Sequence, residues 1–135
     1  IELPVGPDGH SDADVLIHAL MDALLGAAGL KDIGYYFPPE DDAYKGISSM
    51  ILLKHVNSLL KERGLEAYNI DIMVISETPK LKPHIDTMKA NLQSVLEIPL
   101  DRISIKATTN EMLGAIGRRE GIAAQAVVSV YEGEV

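Results

Sequence analysis

The sequence predicts one α+β domain, a two-layer sandwich with helices on one face of a sheet. Three observations carry this. Two apolar stretches with helical spacing come early in the chain. Runs rich in Ile and Val follow, separated by a third helical stretch. Gly and Pro punctuate nearly every junction, giving the order β-α-α-β-α-β-(α)-β, in which helices fall between non-adjacent strands. At 135 residues, with no repeat, linker or low-complexity segment, the chain reads as a single domain over 1–135.

Residues 1–5 read as the end of a strand, stopped by Pro4 and Pro7. The chain opens on IELPVGP without Met, so residues upstream are expected. Ser11 is placed to N-cap a first helix, with Asp14 at the capping-box position, and the helix runs to about Ala28 before Gly29 closes it. KDIGYYFPPEDDAYKG, residues 31–46, is a long loop, and loops of that length are more often functional than idle. A second helix is predicted from about Ile47 to Arg63, with Gly64 as its stop. YNIDIMVISE, residues 68–77, is a largely buried strand. After the loop TPKLKPH, Pro83 suits the first turn of a third helix that ends near Leu96. RISIKAT is a strand, TNEMLGAIG a loop with a short helix, and GIAAQAVVSVYE the last strand.

Composition narrows the function. Apolar residues make up 47% of the chain with one Phe and no Trp, so the core is built from Leu, Ile, Val and Ala. Twenty acidic against 12 basic residues give a net charge of −8, which disfavours a nucleic-acid partner. An anionic ligand would need local Lys or Arg, or bound metal. The absence of Cys excludes disulfides, thiolate zinc sites and a Cys nucleophile, and it fits a reducing cytoplasm. No signal peptide is recognisable and no apolar run is long enough to span a membrane, so no membrane association is expected.

The stretch HSDADVLIHALMDALLG, residues 10–26, spaces His10, Asp14, His18 and Asp22 four apart in an otherwise apolar run. Four residues advance about 400° around a helix, so these side chains form one stripe. A solvated face is one reading. Against it, the stripe holds no Lys or Arg, and apolar residues fill almost every other direction, so the helix is expected to be buried nearly all round. Metal binding is the other reading. His10 and His18 lie about 12 Å apart along a helix axis and cannot share one zinc ion, whose bonds to nitrogen are about 2 Å. His18 as a ligand would therefore take partners from another segment, and Asp22, one turn on, would be placed to orient its ring.

Three further clusters bear on anions. Lys80 and Lys82 stand in a Pro-bounded loop after a buried strand, a position that in layered α/β folds commonly binds phosphate. Thr108, Thr109 and Asn110 precede Glu111 at a strand-to-helix junction, where free backbone N–H groups attract anions. Glu111 is there either a capping carboxylate or a ligand for phosphate-bound magnesium. Arg118 and Arg119 sit in a Gly-bounded loop, on the surface or clamping a phosphate.

Taken together, GHSDADVLIHALMDALLGAAGLKDIG, YFPPEDDAYKG, ISETPKLKPH and IKATTNEMLGAIGRREGIAA resemble, in order and spacing, the 2-C-methyl-D-erythritol 2,4-cyclodiphosphate synthases of the non-mevalonate isoprenoid pathway. The resemblance covers essentially the whole chain. It implies a mixed sheet, a homotrimer with sites between neighbouring subunits, and conversion of a cytidine diphosphate derivative of methylerythritol 2-phosphate to a cyclic diphosphate with release of CMP. Zinc, together with magnesium or manganese, is the implied cofactor set.

Residue by residue, the resemblance makes His18 a zinc ligand and Glu111 the holder of the magnesium. His10 and Ser11 would face the methylerythritol phosphate, His10 and Thr109 acting in catalysis. Asp32, Ile33 and Gly34 belong to the substrate loop, Asp32 and Gly34 near the ribose. Phe37, Pro38, Pro39, Glu40 and Asp41 would flank the methylerythritol end, with Pro39 and Glu40 departing from the residues many members carry. Ser76 with Pro79, Lys80, Leu81 and Lys82 would form the cytosine pocket. Thr108, Thr109 and Asn110 would contact the diphosphate, and Arg118 would line a central cavity. The family's other zinc ligands, an Asp and a His two residues apart, lie on an N-terminal strand upstream of residue 1, so zinc is expected to be incompletely held by these 135 residues. The alternative is a cytidine-nucleotide-binding module of the same fold without turnover.

Overall fold

The computed structural model of the chain describes residues 7–38, 48–76, 82–109, 111–117 and 122–133. The strand expected over residues 1–5 falls outside them. The elements are α1 (Pro7–Ala27), α2 (Ile33–Tyr36), α3 (Ser49–Glu62), β1 (Leu65–Ile75), α4 (Ile85–Leu96), β2 (Ile103–Thr108), α5 (Gly114–Gly117) and β3 (Ala123–Glu132).

Helix α1 begins four residues before the predicted cap, so Ser11 is not its N-cap. Pro7 explains the difference: at a first helical position its missing N–H would have had no partner anyway, and its fixed φ is already helical. The C-terminus is as expected. Gly29 turns at φ +72 and the Leu30 N–H reaches back to the Leu25 carbonyl at 2.8 Å, which satisfies carbonyls left over by the last turn. From Ala13 to Leu25 the only exposed positions are Asp14, His18 and Asp22. The helix is thus buried or half-buried on every side except the polar stripe. Leu16, Ile17, Leu20, Met21, Leu24 and Leu25 are all fully buried, each worth roughly 1.5–3 kcal/mol of apolar transfer.

The segment read as one loop from residue 31 contains a helical turn, α2, which begins directly after Asp32. Helix α3 starts two residues later than predicted because Ser48 caps it, its hydroxyl accepting from the Met50 N–H at 3.2 Å. Its stop is Gly64, at φ +71. Pro83 sits in a tighter 3-10 turn, Lys82–His84, and α4 proper begins behind it.

The sheet is mixed, with order β2-β1-β3. β1 pairs parallel with β2 and antiparallel with β3. The parallel register sets Ile70 beside Ile103 and Ile72 beside Ile105, and all four are buried with Val74. Across the other edge of β1, Val128 and Ala126 continue the same face and pack on the core. Helices α1, α3 and α4 all contact strands of this sheet. The alternate positions are wetter: Ser104 and Lys106 are exposed, Val127 is 72% exposed, and Lys106 pairs with Asp71 at 3.0 Å. That ion pair is half-exposed and worth at most about 1 kcal/mol.

Candidate active site

The polar stripe of α1 does local work that spacing alone did not specify. His18 is exposed midway along it. Asp14, assigned to a capping box, instead accepts a hydrogen bond from the Ser49 hydroxyl at 2.7 Å, and Ser49 opens α3. Asp22 accepts from the Ile33 N–H at 2.9 Å, and Ile33 opens α2. Asp32 occupies the N-cap of α2 yet makes no side-chain cap bond. Its Oδ2 would lie 3.4 Å from a Cβ added at Gly34, so the carboxylate leans over that glycine. Phe37 closes α2, its N–H donating to the Ile33 carbonyl at 2.8 Å. Its ring stands edge-on to His55 at 5.9 Å, and with Tyr36, Ser58, Leu59 and Glu62 the two wall a cleft of about 380 Å³. Pro38 is half-buried beyond it.

A second cluster lies at the C-terminal ends of the two parallel strands. The Ser76 N–H donates to the Thr108 carbonyl at 3.0 Å, which joins the end of β1 to the end of β2. Ser76 is buried. Beyond β2 the chain turns through two non-glycine residues in the left-handed region, Glu111 at φ +51 and Met112 at φ +64, before Gly114 at φ +70. Such residues cost on the order of 1–3 kcal/mol each and gather where a function requires the geometry. The turn is held by the Glu111 N–H donating to Thr109 Oγ1 at 3.3 Å. The expected strand-to-helix junction needs one correction. Helix α5 starts three residues after Glu111 and spans four residues, so the capping-carboxylate reading of Glu111 does not apply. Glu111 is exposed, its carboxylate open to a cation.

The structure therefore groups His18, Asp32, Ile33, Gly34, Phe37 and Pro38 around α1 and α2, and Ser76, Thr108, Thr109 and Glu111 at the strand ends. Lys82 is exposed in the 3-10 turn before α4. The backbone of α1 passes through His10 and Ser11, whose side chains lie outside the described residues. Pro39, Glu40, Asp41, Pro79, Lys80, Leu81, Asn110 and Arg118 also lie outside them. Among the described residues no three His, Cys, Asp or Glu side chains stand close enough to share a metal ion. No described helix is long and apolar enough to cross a membrane. Sequence reasoning missed α2 and both carboxylate ties. The missing basic residues on the stripe were the available sign that its acids had partners elsewhere.

Residues 1–131 match the model of the YgbB family. The 2-C-methyl-D-erythritol 2,4-cyclodiphosphate synthase of Synechococcus elongatus is 58% identical over 127 residues, covering 94% of this chain and 79% of that relative. The bifunctional IspDF of Campylobacter jejuni superposes with a TM-score of 0.83 at 48% identity over 90% of the chain, which spans 33% of that protein's length. The Plasmodium falciparum IspF, solved as a CDP complex, gives 0.77 at 31% identity, covering 89% of this chain and 72% of that one. With a family match across nearly its whole length and a mixed sheet and helices in the same arrangement, the chain belongs to the YgbB family, whose relatives named here are cyclodiphosphate synthases.

Proposed function

We propose that the protein converts 4-diphosphocytidyl-2-C-methyl-D-erythritol 2-phosphate to 2-C-methyl-D-erythritol 2,4-cyclodiphosphate with release of CMP, as a cytoplasmic, metal-dependent lyase. The observation that carries this reading is the Ser76–Thr108 junction, seen in a chain of this family. It brings the residue assigned to the cytosine pocket against those assigned to the diphosphate, as one extended nucleotide requires. The Plasmodium relative's CDP complex supports the same ligand class.

In the reaction an oxygen of the 2-phosphate forms a bond to the β-phosphorus, and the bond from that phosphorus to the bridging oxygen breaks. CMP leaves with the electron pair, and no water is consumed. The task is to fold one flexible substrate so that its two ends meet, and to neutralise phosphate charge. No covalent nucleophile is needed, in keeping with a chain without Cys. Asp32 and Gly34 hold the ribose, while Phe37, Pro38 and residues 39–41 flank the methylerythritol. Ser76 and residues 79–82 enclose the cytosine. The hydroxyls of Thr108 and Thr109, with Asn110, hold the diphosphate. His10 and Thr109 stabilise charge that develops during attack.

His18 offers an exposed imidazole, a donor zinc takes, and Glu111 an exposed carboxylate, a donor magnesium or manganese takes. Each is one ligand of a larger set, and the Asp-x-His pair of the family would complete the zinc site. Bound there, the two metals supply positive charge against the phosphate oxygens.

We assign the protein to homotrimers with sites shared between subunits. Val127 on the outer face of the sheet is 72% exposed, and Met112 and Leu113 beyond β2 are 77% and 68% exposed; packing against a neighbouring subunit would cover such side chains. Arg118 would then line the central cavity. The test is CMP release, followed by chromatography, from the full-length protein with substrate, zinc and magnesium. Stoichiometric CMP is expected. CDP binding without CMP release would leave a nucleotide-binding module in place of the enzyme.

A further inference from the structure

We infer that Asp22 and Asp14 are positioning residues, a two-point latch by which α1 fixes the first residue of α2 and the first residue of α3 on either side of His18; this rests on the reading above. The two carboxylates lie eight residues apart, about 12 Å along the helix axis, with His18 one turn from each. Asp22 takes the N–H of Ile33, the first residue of α2, at 2.9 Å. Asp14 takes the hydroxyl of Ser49, the first residue of α3, at 2.7 Å. Directly after the first anchor come Gly34, assigned to the ribose, and Phe37 and Pro38, assigned to the methylerythritol. A helix of four residues does not hold itself in place, and its first N–H groups need acceptors.

Asp32 stands directly before that tie. An Asp at an N-cap ordinarily turns its carboxylate onto its own helix. Asp32 occupies that position and makes no such bond, and the opening N–H of α2 is taken by α1. The Asp32 carboxylate, not turned onto its own helix, is available to a ligand hydroxyl. The stripe of α1 is therefore divided by role: the imidazole for metal, the carboxylates for the segment that must meet it.

The test compares Asp22→Ala with Asp22→Asn in the full-length protein, because Asn keeps an oxygen acceptor and loses only the charge. CDP affinity is measured by calorimetry and zinc content by mass spectrometry. Asp22→Ala should weaken CDP about tenfold, the scale of one lost hydrogen bond to a charged acceptor, with zinc content unchanged. Asp22→Asn should lose only about threefold, since a neutral acceptor keeps roughly half of a charge-assisted bond. At the other anchor, Ser49→Ala should raise KM for the full substrate several-fold while kcat and CDP affinity hold. Equal CDP affinity in Asp22→Ala and parent, an Asn variant as weak as the Ala variant, or lost zinc would each overturn the latch. Should Asp22→Ala fail to fold, Ile33→Pro removes the donor at a position where proline suits a helix, and it must show the same loss of CDP affinity. A parent protein that binds no CDP would overturn the functional reading, and this inference with it.

Discussion

His18→Ala separates function from folding. The imidazole is exposed, whereas Leu16, Ile17 and Leu20 beside it are fully buried. Removing it takes no packed atoms from the core. Ala has the better helix propensity by about 0.5 kcal/mol, so stability should change by no more than about 0.5 kcal/mol in either direction. For a domain of this size 1 kcal/mol moves Tm by roughly 3–5 °C, so the variant should melt within about 2 °C of the metal-free parent. Leu20→Ala, two residues on, is the control. Its side chain is 0% exposed, and truncation there should cost about 3–4 kcal/mol, lowering Tm by roughly 10–15 °C. Calorimetric melting, zinc analysis and CMP release on both variants decide the matter. The His18 variant should melt with the metal-free parent, hold no zinc and make no CMP. A His18 variant that melts as low as Leu20→Ala, or that retains zinc and turnover, would refute the assignment of His18 as a metal ligand.

Glu111→Gln should lower turnover at least a hundredfold at saturating magnesium while CDP affinity falls less than tenfold, because a cation held by Glu111 would act mainly on charge developing in the transition state; full rate at high magnesium would remove Glu111 from the site. Calorimetry should show CDP binding at least tenfold tighter than UDP, since a pocket that hydrogen-bonds the cytosine amino group rejects a base lacking it; equal affinities would contradict the cytosine pocket around Ser76. Glu97→Gly should stabilise the fold by about 0.5–1 kcal/mol, because Glu97 closes α4 at φ +58 and its exposed pair with Lys61, at 3.9 Å, contributes little. A lower melting temperature in that variant would show the ion pair to outweigh the backbone strain.

Much of this architecture is legible in the sequence because its signals are local. Gly29 and Gly64 ended their helices where predicted, each at a positive φ that favours glycine. The Ile and Val runs at 70–75 and 103–105 became paired strands because both bury the same alternate positions. Helix starts were less legible. Pro7 and Ser11 are both acceptable openings, and the choice between them depends on where the chain comes from. Helix α2 was hidden for a different reason: its four residues carry no period, and its opening N–H is satisfied by Asp22, eleven residues upstream. The same holds for Asp14 and Ser49, 35 residues apart. Motif spacing named the residues of both clusters. What joins them, such as the Ser76–Thr108 bond across parallel strands, arises only from the register of the sheet.

The central claim is that the protein folds one substrate on itself so that its 2-phosphate, and no external nucleophile, attacks the β-phosphorus. Turnover in water enriched in oxygen-18 tests it most directly, with CMP and the cyclic product analysed by mass spectrometry. Intramolecular attack predicts both products free of solvent oxygen. Label in either product, or a linear diphosphate in place of the cyclic one, would show hydrolysis and contradict the account.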